Sequence, residues 1–132
     1  MKLIRFEDEN PTPAELEVYE VVLHVAGKFG VDLGTVEESE DFMIKLVEQY
    51  QGSLDGLSTW LEEQIPQHYV AIGERPKWIQ SPEWPFYKGK PMVFAGQLNI
   101  TGDNALKLFH DDTSLYVFLG EDAQSAVVIQ YF

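Results

Sequence analysis

Two hydrophobic patterns follow one another along the chain. In the first half, apolar residues recur at steps of three and four, as on one face of an amphipathic helix. From about residue 69, short β-type runs lie between turn-forming residues. Because helices precede strands instead of alternating with them, the pattern predicts an α+β fold. We expect about three N-terminal helices packed on one face of a mainly antiparallel sheet of about four to six strands.

The first predicted helix has a complete start signal. Thr12, Pro13 and Glu15 supply a capping hydroxyl, a proline at the first helical position and a glutamate three residues after the cap. The helix is predicted over residues 13–29, with Gly30 as its stop.

Two further helices are predicted before the strands. One begins after the acidic stretch at residues 37–41 and ends at Gly52, with the acid suiting the positive end of the helix dipole. The other covers about residues 57–64, before Pro66 stops it.

The strand predictions come from alternation in the second half. In the best strand, Met92, Phe94, Gly96, Leu98 and Ile100 are expected to point one way, and the residues between them the other way. Turns are predicted at residues 102–104 and 110–114. The predicted strands are residues 69–72, 77–80, 92–100, 106–109, 115–119 and 126–132. At 132 residues, one domain is expected, with a helical part at 1–66 and a β-rich part at 67–132.

The segment at residues 73–91 holds four of the seven prolines and two of the three tryptophans. Prolines reduce the entropy cost of ordering a loop, so this loop can hold aromatic rings in place without regular structure. It is either a lid on the core or a preorganised binding surface. In the binding interpretation, aromatic walls and a few polar groups form a ligand pocket. The candidate residues are Arg75, Trp78, Gln80, Trp84, Phe86 and Gln97.

Several spaced motifs follow one another through the β-rich part. They are Gly-x-x-Pro-x-Trp-Ile-Gln at 73–80, Glu-Trp-Pro at 83–85, Gly-Lys-Pro-Met-x-Phe at 89–94, Gln-Leu at 97–98, Leu-Tyr-Val-Phe at 115–118 and Val-Ile-Gln-Tyr at 128–131. With these motifs, residues 69–132 resemble the YwqG-like family of bacterial proteins. The resemblance implies a β-rich fold in proteins whose function is mostly unassigned. Glu74 stands where family members often have a second glycine, and no cysteine precedes Gly89, so a zinc-binding role is not carried over.

Charge narrows the classes of partner. With 22 acidic and nine basic residues, the net charge is −13, which opposes binding to nucleic acid or to an anionic membrane. A basic protein partner is permitted, with an acidic docking patch formed by residues 7–9 and 37–41 with Glu62 and Glu63. The alternative is that these acids simply form a solvated face.

Catalytic chemistry has little support in the sequence. With no cysteine, disulfides, thiolate zinc sites and a cysteine nucleophile are excluded, and the usual hydrolase and phosphate-binding motifs do not occur. No cofactor is expected. His110, Asp111 and Asp112 form the tightest group of possible ligands, either a weak metal or hydrolase site or an ordinary solvated turn. We expect a cytoplasmic protein, since no leader or spanning segment is recognisable.

Three functional hypotheses remain open from the sequence. The leading one is a non-enzymatic binding protein, in its sharpest form an immunity or antitoxin-like protein directed at a basic partner. The second is a small-molecule-binding domain that uses the aromatic loop. The third is a hydrolase that uses the turn at residues 110–112.

Overall fold

A computed structural model describes residues 1–5, 10–109 and 111–132. Within these residues, three helices precede a short hairpin and a three-stranded antiparallel sheet, and a fourth helix lies between the first two strands of that sheet. The α+β prediction is confirmed, although the strands form two sheets and not one. The elements are α1 (Pro13–Lys28), α2 (Glu37–Glu48), α3 (Leu54–His68), β1 (Phe86–Tyr87), β2 (Lys90–Pro91), β3 (Val93–Ile100), α4 (Gly102–Leu108), β4 (Thr113–Leu119) and β5 (Ser125–Tyr131).

The predicted capping box starts α1. The Thr12 hydroxyl accepts the Glu15 amide hydrogen at 3.1 Å, and the Glu15 carboxylate accepts the Thr12 amide hydrogen at 3.0 Å. This bond to the Thr12 backbone lowers the pKa of Glu15. The helix ends at Lys28, one residue earlier than predicted, and Gly30 adopts the left-handed φ of +76° that glycine tolerates at a helix end.

The other two N-terminal helices differ from prediction at their ends. The acidic stretch forms the first turn of α2 instead of preceding it. Helix α3 is longer than predicted and contains Pro66 in its last turn. A proline there costs only one backbone hydrogen bond, and the Tyr69 amide still donates to the Ile65 carbonyl at 2.8 Å.

Three strand predictions are wrong. Residues 106–109 fall in α4 and its C-cap, because a Leu-Lys-Leu-Phe run is too short for periodicity to separate helix from strand. Residues 69–72 contribute a single parallel bridge, from Ala71 to Phe94. Residues 77–80 have no ladder partner in the part of the chain that the structure describes, and side chains bind their backbone instead.

A β-bulge in β3 reverses its faces. The register with β4 shifts between Phe94 and Gly96, so an extra residue is inserted into β3. Before the bulge, Phe94 faces the core opposite Phe118. After it, Gln97 lies opposite the buried Tyr116, while Leu98 points outward and is 58% exposed. The predicted common face for Phe94, Leu98 and Ile100 is therefore wrong.

One core cluster joins the helices to the inner face of the sheet. It contains side chains from α1, α2 and α3 together with the inward aromatic residues of β3 and β4. Tyr69, at the end of α3, lies in this cluster, and its hydroxyl shares a 2.7 Å hydrogen bond with Ser39 of α2. Both residues are buried, so this bond ties two helices together inside the core.

Tyr69 predicts a loss of stability at alkaline pH. Burial raises its pKa above the ordinary value, so the folded state holds this proton more tightly than the unfolded chain does. Its contribution is fully present below about pH 10 and is lost as the pH rises through the folded pKa. We expect Tyr69→Phe to reduce the fall in unfolding free energy between pH 9 and 11, measured by urea denaturation. Part of the fall should remain, because burial also raises the pKa of Tyr19.

Ser39→Ala is the matched control for that measurement. It deletes the same hydrogen bond but leaves the titrating hydroxyl in place, so the alkaline fall should persist. If the wild type and Tyr69→Phe lose the same unfolding free energy above pH 10, the buried hydroxyl is not the source of that loss.

The turn between β4 and β5 predicts a stabilising substitution. Asp122 and Ala123 both have left-handed backbones, with φ of +60° and +59°. Such a backbone costs an alanine roughly 1 kcal/mol, so Ala123→Gly should raise the unfolding free energy by about 0.5–1 kcal/mol. Asp122→Gly should gain less, because it also removes the 2.7 Å ion pair with Lys88. If Ala123→Gly leaves the unfolding free energy unchanged or lowers it in denaturant titration, the left-handed backbone of Ala123 is not strained.

Candidate functional site

The proline-rich loop of residues 73–91 is held by polar side chains that point inward from the sheet. Gln97 of β3 accepts the Lys77 amide hydrogen at 2.8 Å and donates to the Lys77 carbonyl at 3.1 Å. The Tyr116 hydroxyl donates to the same carbonyl at 3.0 Å and accepts the Ile79 amide hydrogen at 3.1 Å. These contacts replace the ladder bonds that a strand would have provided.

Gln130 of β5 makes the most complete set of these bonds. Its side-chain oxygen accepts the amide hydrogens of Ile79 and Gln80 at 3.0 and 2.9 Å. Its nitrogen donates to the Ser81 carbonyl at 2.8 Å and to the Glu83 carboxylate at 3.2 Å. Gln130 is fully buried. The sequence signal that could have marked it is the one that marked Gln97, an amide inside an otherwise apolar strand.

The aromatic residues of the loop bind protein groups. The Trp78 indole donates to the Gly30 carbonyl at 2.8 Å, and its ring centroid lies 4.4 Å from that of Tyr116. Trp84 is 1% exposed, and its indole donates to the Met92 carbonyl at 2.7 Å. In this structure, both indoles join the loop to the rest of the fold.

Arg75 connects the loop to the end of α1. Its guanidinium donates to the Phe29 carbonyl at 3.1 Å and lies 5.0 Å from the Phe29 ring centroid and 5.9 Å from that of Trp84. A cation suits the negative end of a helix. Burial lowers the pKa of Arg75.

The remaining predicted residues are spread over the surface of the loop. Gln80 is exposed, and only its backbone takes part in the contacts with Gln130. Phe86 is half-buried against Tyr69 and Phe42, and it lines a cleft of about 180 Å³ beside Lys45. The structure thus brings Arg75, Trp78 and Trp84 close to the core and leaves Gln80 outside.

The turn proposed for metal or hydrolase chemistry is described only in part. His110 and residues 7–9 of the acidic patch lie outside the described residues. The Asp111 carboxylate accepts the Asp112 amide hydrogen at 2.8 Å, and the Asp112 carboxylate accepts that of Gly102 at 3.1 Å. Among the residues described, no three His, Asp or Glu side chains are grouped as a metal ion would need.

The predicted acidic patch on α2 is engaged in part within the fold. Arg5 forms ion pairs with Glu40 and Asp41, and Glu40 is buried. Asp41 is the main cause of the raised pKa of Arg5. The exposed members of this stretch are therefore Glu37 and Glu38.

The outer face of the three-stranded sheet is apolar, and it is open except at the end where Thr113 is buried. Strands β3, β4 and β5 contain no Asp, Glu, Lys or Arg. Two rows cross this face, Leu98–Leu115–Ile129 and Gly96–Val117–Val127. A Cβ added at Gly96 would have no heavy atom within 4 Å. The most exposed side chains of the face, between 43% and 58% exposed, are Leu98, Leu119, Val127, Ile129 and Tyr131.

A cleft of about 440 Å³ adjoins one end of this outer face. Val93 and Leu119 belong to both, and Ile72 and Met92 also line the cleft. Its rim carries the ion pair between Lys90 and Glu121, with a 2.9 Å separation. Apolar surface therefore continues from the sheet face into a concave region.

The charge of the chain is concentrated in its helical half. Residues 1–68 contain 15 acidic and four basic residues, a net charge of −11. Residues 69–132 contain seven acidic and five basic residues, a net charge of −2. The uncharged sheet face and the acidic helices are thus separate surfaces. Among the described helices, none has the length and apolar character required to cross a membrane.

Comparison with known proteins yields no match to a family model, to a curated protein or to a solved structure. The resemblance of residues 69–132 to the YwqG-like family stays a prediction.

Gln130 predicts a stability difference between two glutamines of the same region. Gln130→Ala removes the side-chain partner of the Gln80 amide and of the Ser81 carbonyl, while the Ile79 amide keeps the Tyr116 hydroxyl as its acceptor. We therefore expect a loss of about 2–4 kcal/mol in unfolding free energy. Gln80→Ala, at an exposed side chain, should change it by less than about 0.5 kcal/mol. Denaturant titration measures both, and equal effects would contradict the bracing role of Gln130.

Proposed function

We propose that this chain is a non-enzymatic protein-interaction domain that contacts its partner through the outer face of β3, β4 and β5. The observation that carries the proposal is the uncharged apolar surface of that face. Contiguous apolar patches larger than a few hundred Å² are uncommon on monomeric proteins and mark interaction sites. Binding is favoured over catalysis because the sequence lacks the usual catalytic motifs.

The role of the proline-rich loop supports this choice of surface. Gln97 and Trp78, two residues that were candidates for a ligand pocket, bind backbone groups of the protein itself. The loop lies against the inner face, and the exposed apolar side chains of the sheet are on the outer face. We place the domain in the cytoplasm, where a chain without cysteines needs no disulfide.

Site-specific photo-crosslinking in the native host tests the proposal. p-Benzoylphenylalanine in place of Val127 should form one discrete protein adduct, because position 127 lies in the exposed face. In place of Lys77, whose side chain is 79% exposed on the loop, it should form none. Denaturing gels and mass spectrometry provide the readout.

Leu98→Lys sharpens the same experiment. It introduces a charge into the face, opposite Leu115 and on the far strand from Val127, and should abolish the adduct at position 127. An adduct that persists with Leu98→Lys, or one that forms equally at Lys77, would contradict a specific contact through this face.

A second candidate is an immunity or antitoxin-like role toward a basic protein. The net charge of −11 in the helical half favours it, as does a groove of about 340 Å³ lined by Glu17, Glu20 and His24 of α1 with residues of α3. Such a surface would speed encounter with a cationic partner at low salt.

The crosslinker at His24 tests this second candidate. The expected adduct is a protein of high isoelectric point, and it should disappear when Glu17 and Glu20 are both replaced by Gln. An adduct with an acidic protein, or one that is indifferent to these two substitutions, would count against the role.

A further inference from the structure

We infer that the partner of the outer sheet face is a second copy of this chain, so that two domains pack face to face through β3, β4 and β5. This inference rests on the proposed function, since it names the occupant of the same surface. Three features favour a second copy: the area of the face, the distribution of charge and the shape of the face.

The exposed area is close to that of one side of a stable interface. Five side chains that are each about half exposed, together with their partly exposed neighbours, present apolar area on the order of several hundred Å². A standard interface buries about 800 Å² per partner. The adjoining cleft at Leu119 extends the apolar surface in the same direction.

The absence of charge on the face selects an apolar partner. No charged residue occurs in the three strands, so the face offers nothing that would distinguish a basic protein from an acidic one. Homodimer interfaces are the more apolar class, with about 65% non-polar area. A second copy supplies the same uncharged apolar rows.

The position of the acidic half permits self-association despite the net charge. Helices α1, α2 and α3 pack in the core on the inner side of the sheet, so face-to-face packing leaves both acidic halves on the outside. Packed sheets lie about 10 Å apart, and the screening length at physiological salt is about 8 Å. Repulsion between the two halves is therefore largely screened.

The shape of the face suits packing against the same face of a second copy. Gly96 leaves open space between the larger side chains Leu98 and Val117. In a two-fold dimer each chain presents the same patch to its partner, so projections such as Leu98 can enter depressions such as the one at Gly96. The chain needs no change in its strands to form such a dimer.

Sedimentation equilibrium of the full chain, from about 1 to 200 µM, tests the inference. The wild type is expected at twice its 15.1 kDa mass. Leu98→Lys and Val127→Lys should each weaken dimerisation by at least about 100-fold, because they place an unpaired charge in the interface. Leu16→Lys, on α1 outside the face, should leave the dimer intact.

Two further readings make the result specific. Circular dichroism and thermal unfolding should show that both lysine variants remain folded, since positions 98 and 127 are exposed in the single chain. Raising sodium chloride from about 0.1 to 1 M should leave the dimer intact or strengthen it, because the contact is apolar and the chains carry like charge. A dimer that dissociates in salt would overturn the inference.

The remaining outcomes separate this inference from the proposed function. A wild type that stays monomeric at about 200 µM overturns the second copy as partner. A dimer that survives Leu98→Lys overturns the face-to-face arrangement, because pairing along the outer edge of β5, the last strand of the described sheet, would not involve β3. If the crosslinker at Val127 captures a different protein, the proposed function is supported and the inference fails. Capture of a second copy supports both.

Discussion

Three inward-facing polar side chains of the sheet, Gln97, Tyr116 and Gln130, hold the loop that joins the two halves of the fold. A long loop lying on a sheet has backbone N–H and C=O groups that need hydrogen-bond partners, although no neighbouring strand provides them. These side chains supply the missing hydrogen-bond partners, and they thereby position the rest of the loop. Once the backbone at residues 77–81 is fixed, Trp78 reaches Gly30.

This arrangement determines which surfaces stay available. Loop and helices cover the inner face of the sheet with aromatic side chains, and the helices carry most of the negative charge. On the outer face, Leu98, Val127 and Ile129 are not covered by loop or helices and stay exposed. The molecule therefore has an acidic surface on its helices and a separate uncharged, apolar surface on its sheet. Two surfaces of different chemistry thus coexist on one small domain.

The bulge in β3 contributes directly to that uncharged surface. Without it, Leu98 would share the inner face with Phe94, and Gln97 would point to solvent. One inserted residue turns Gln97 toward the loop and Leu98 toward the outside. The same local irregularity thus supplies a brace for the interior and an exposed apolar side chain on the exterior.

The sequence by itself determined the α+β class, the start of α1 and the main strands, because capping boxes and alternation are local signals. The same local signals misassigned residues 106–109 and could not place the bulge. The sequence signal at Gln130 is limited to an amide in an apolar strand. Its role as a brace is not visible from local sequence, since its partners lie about 50 residues away. Tertiary structure alone decided which face of each strand is covered, because burial depends on what packs against a strand and not on the residues within it.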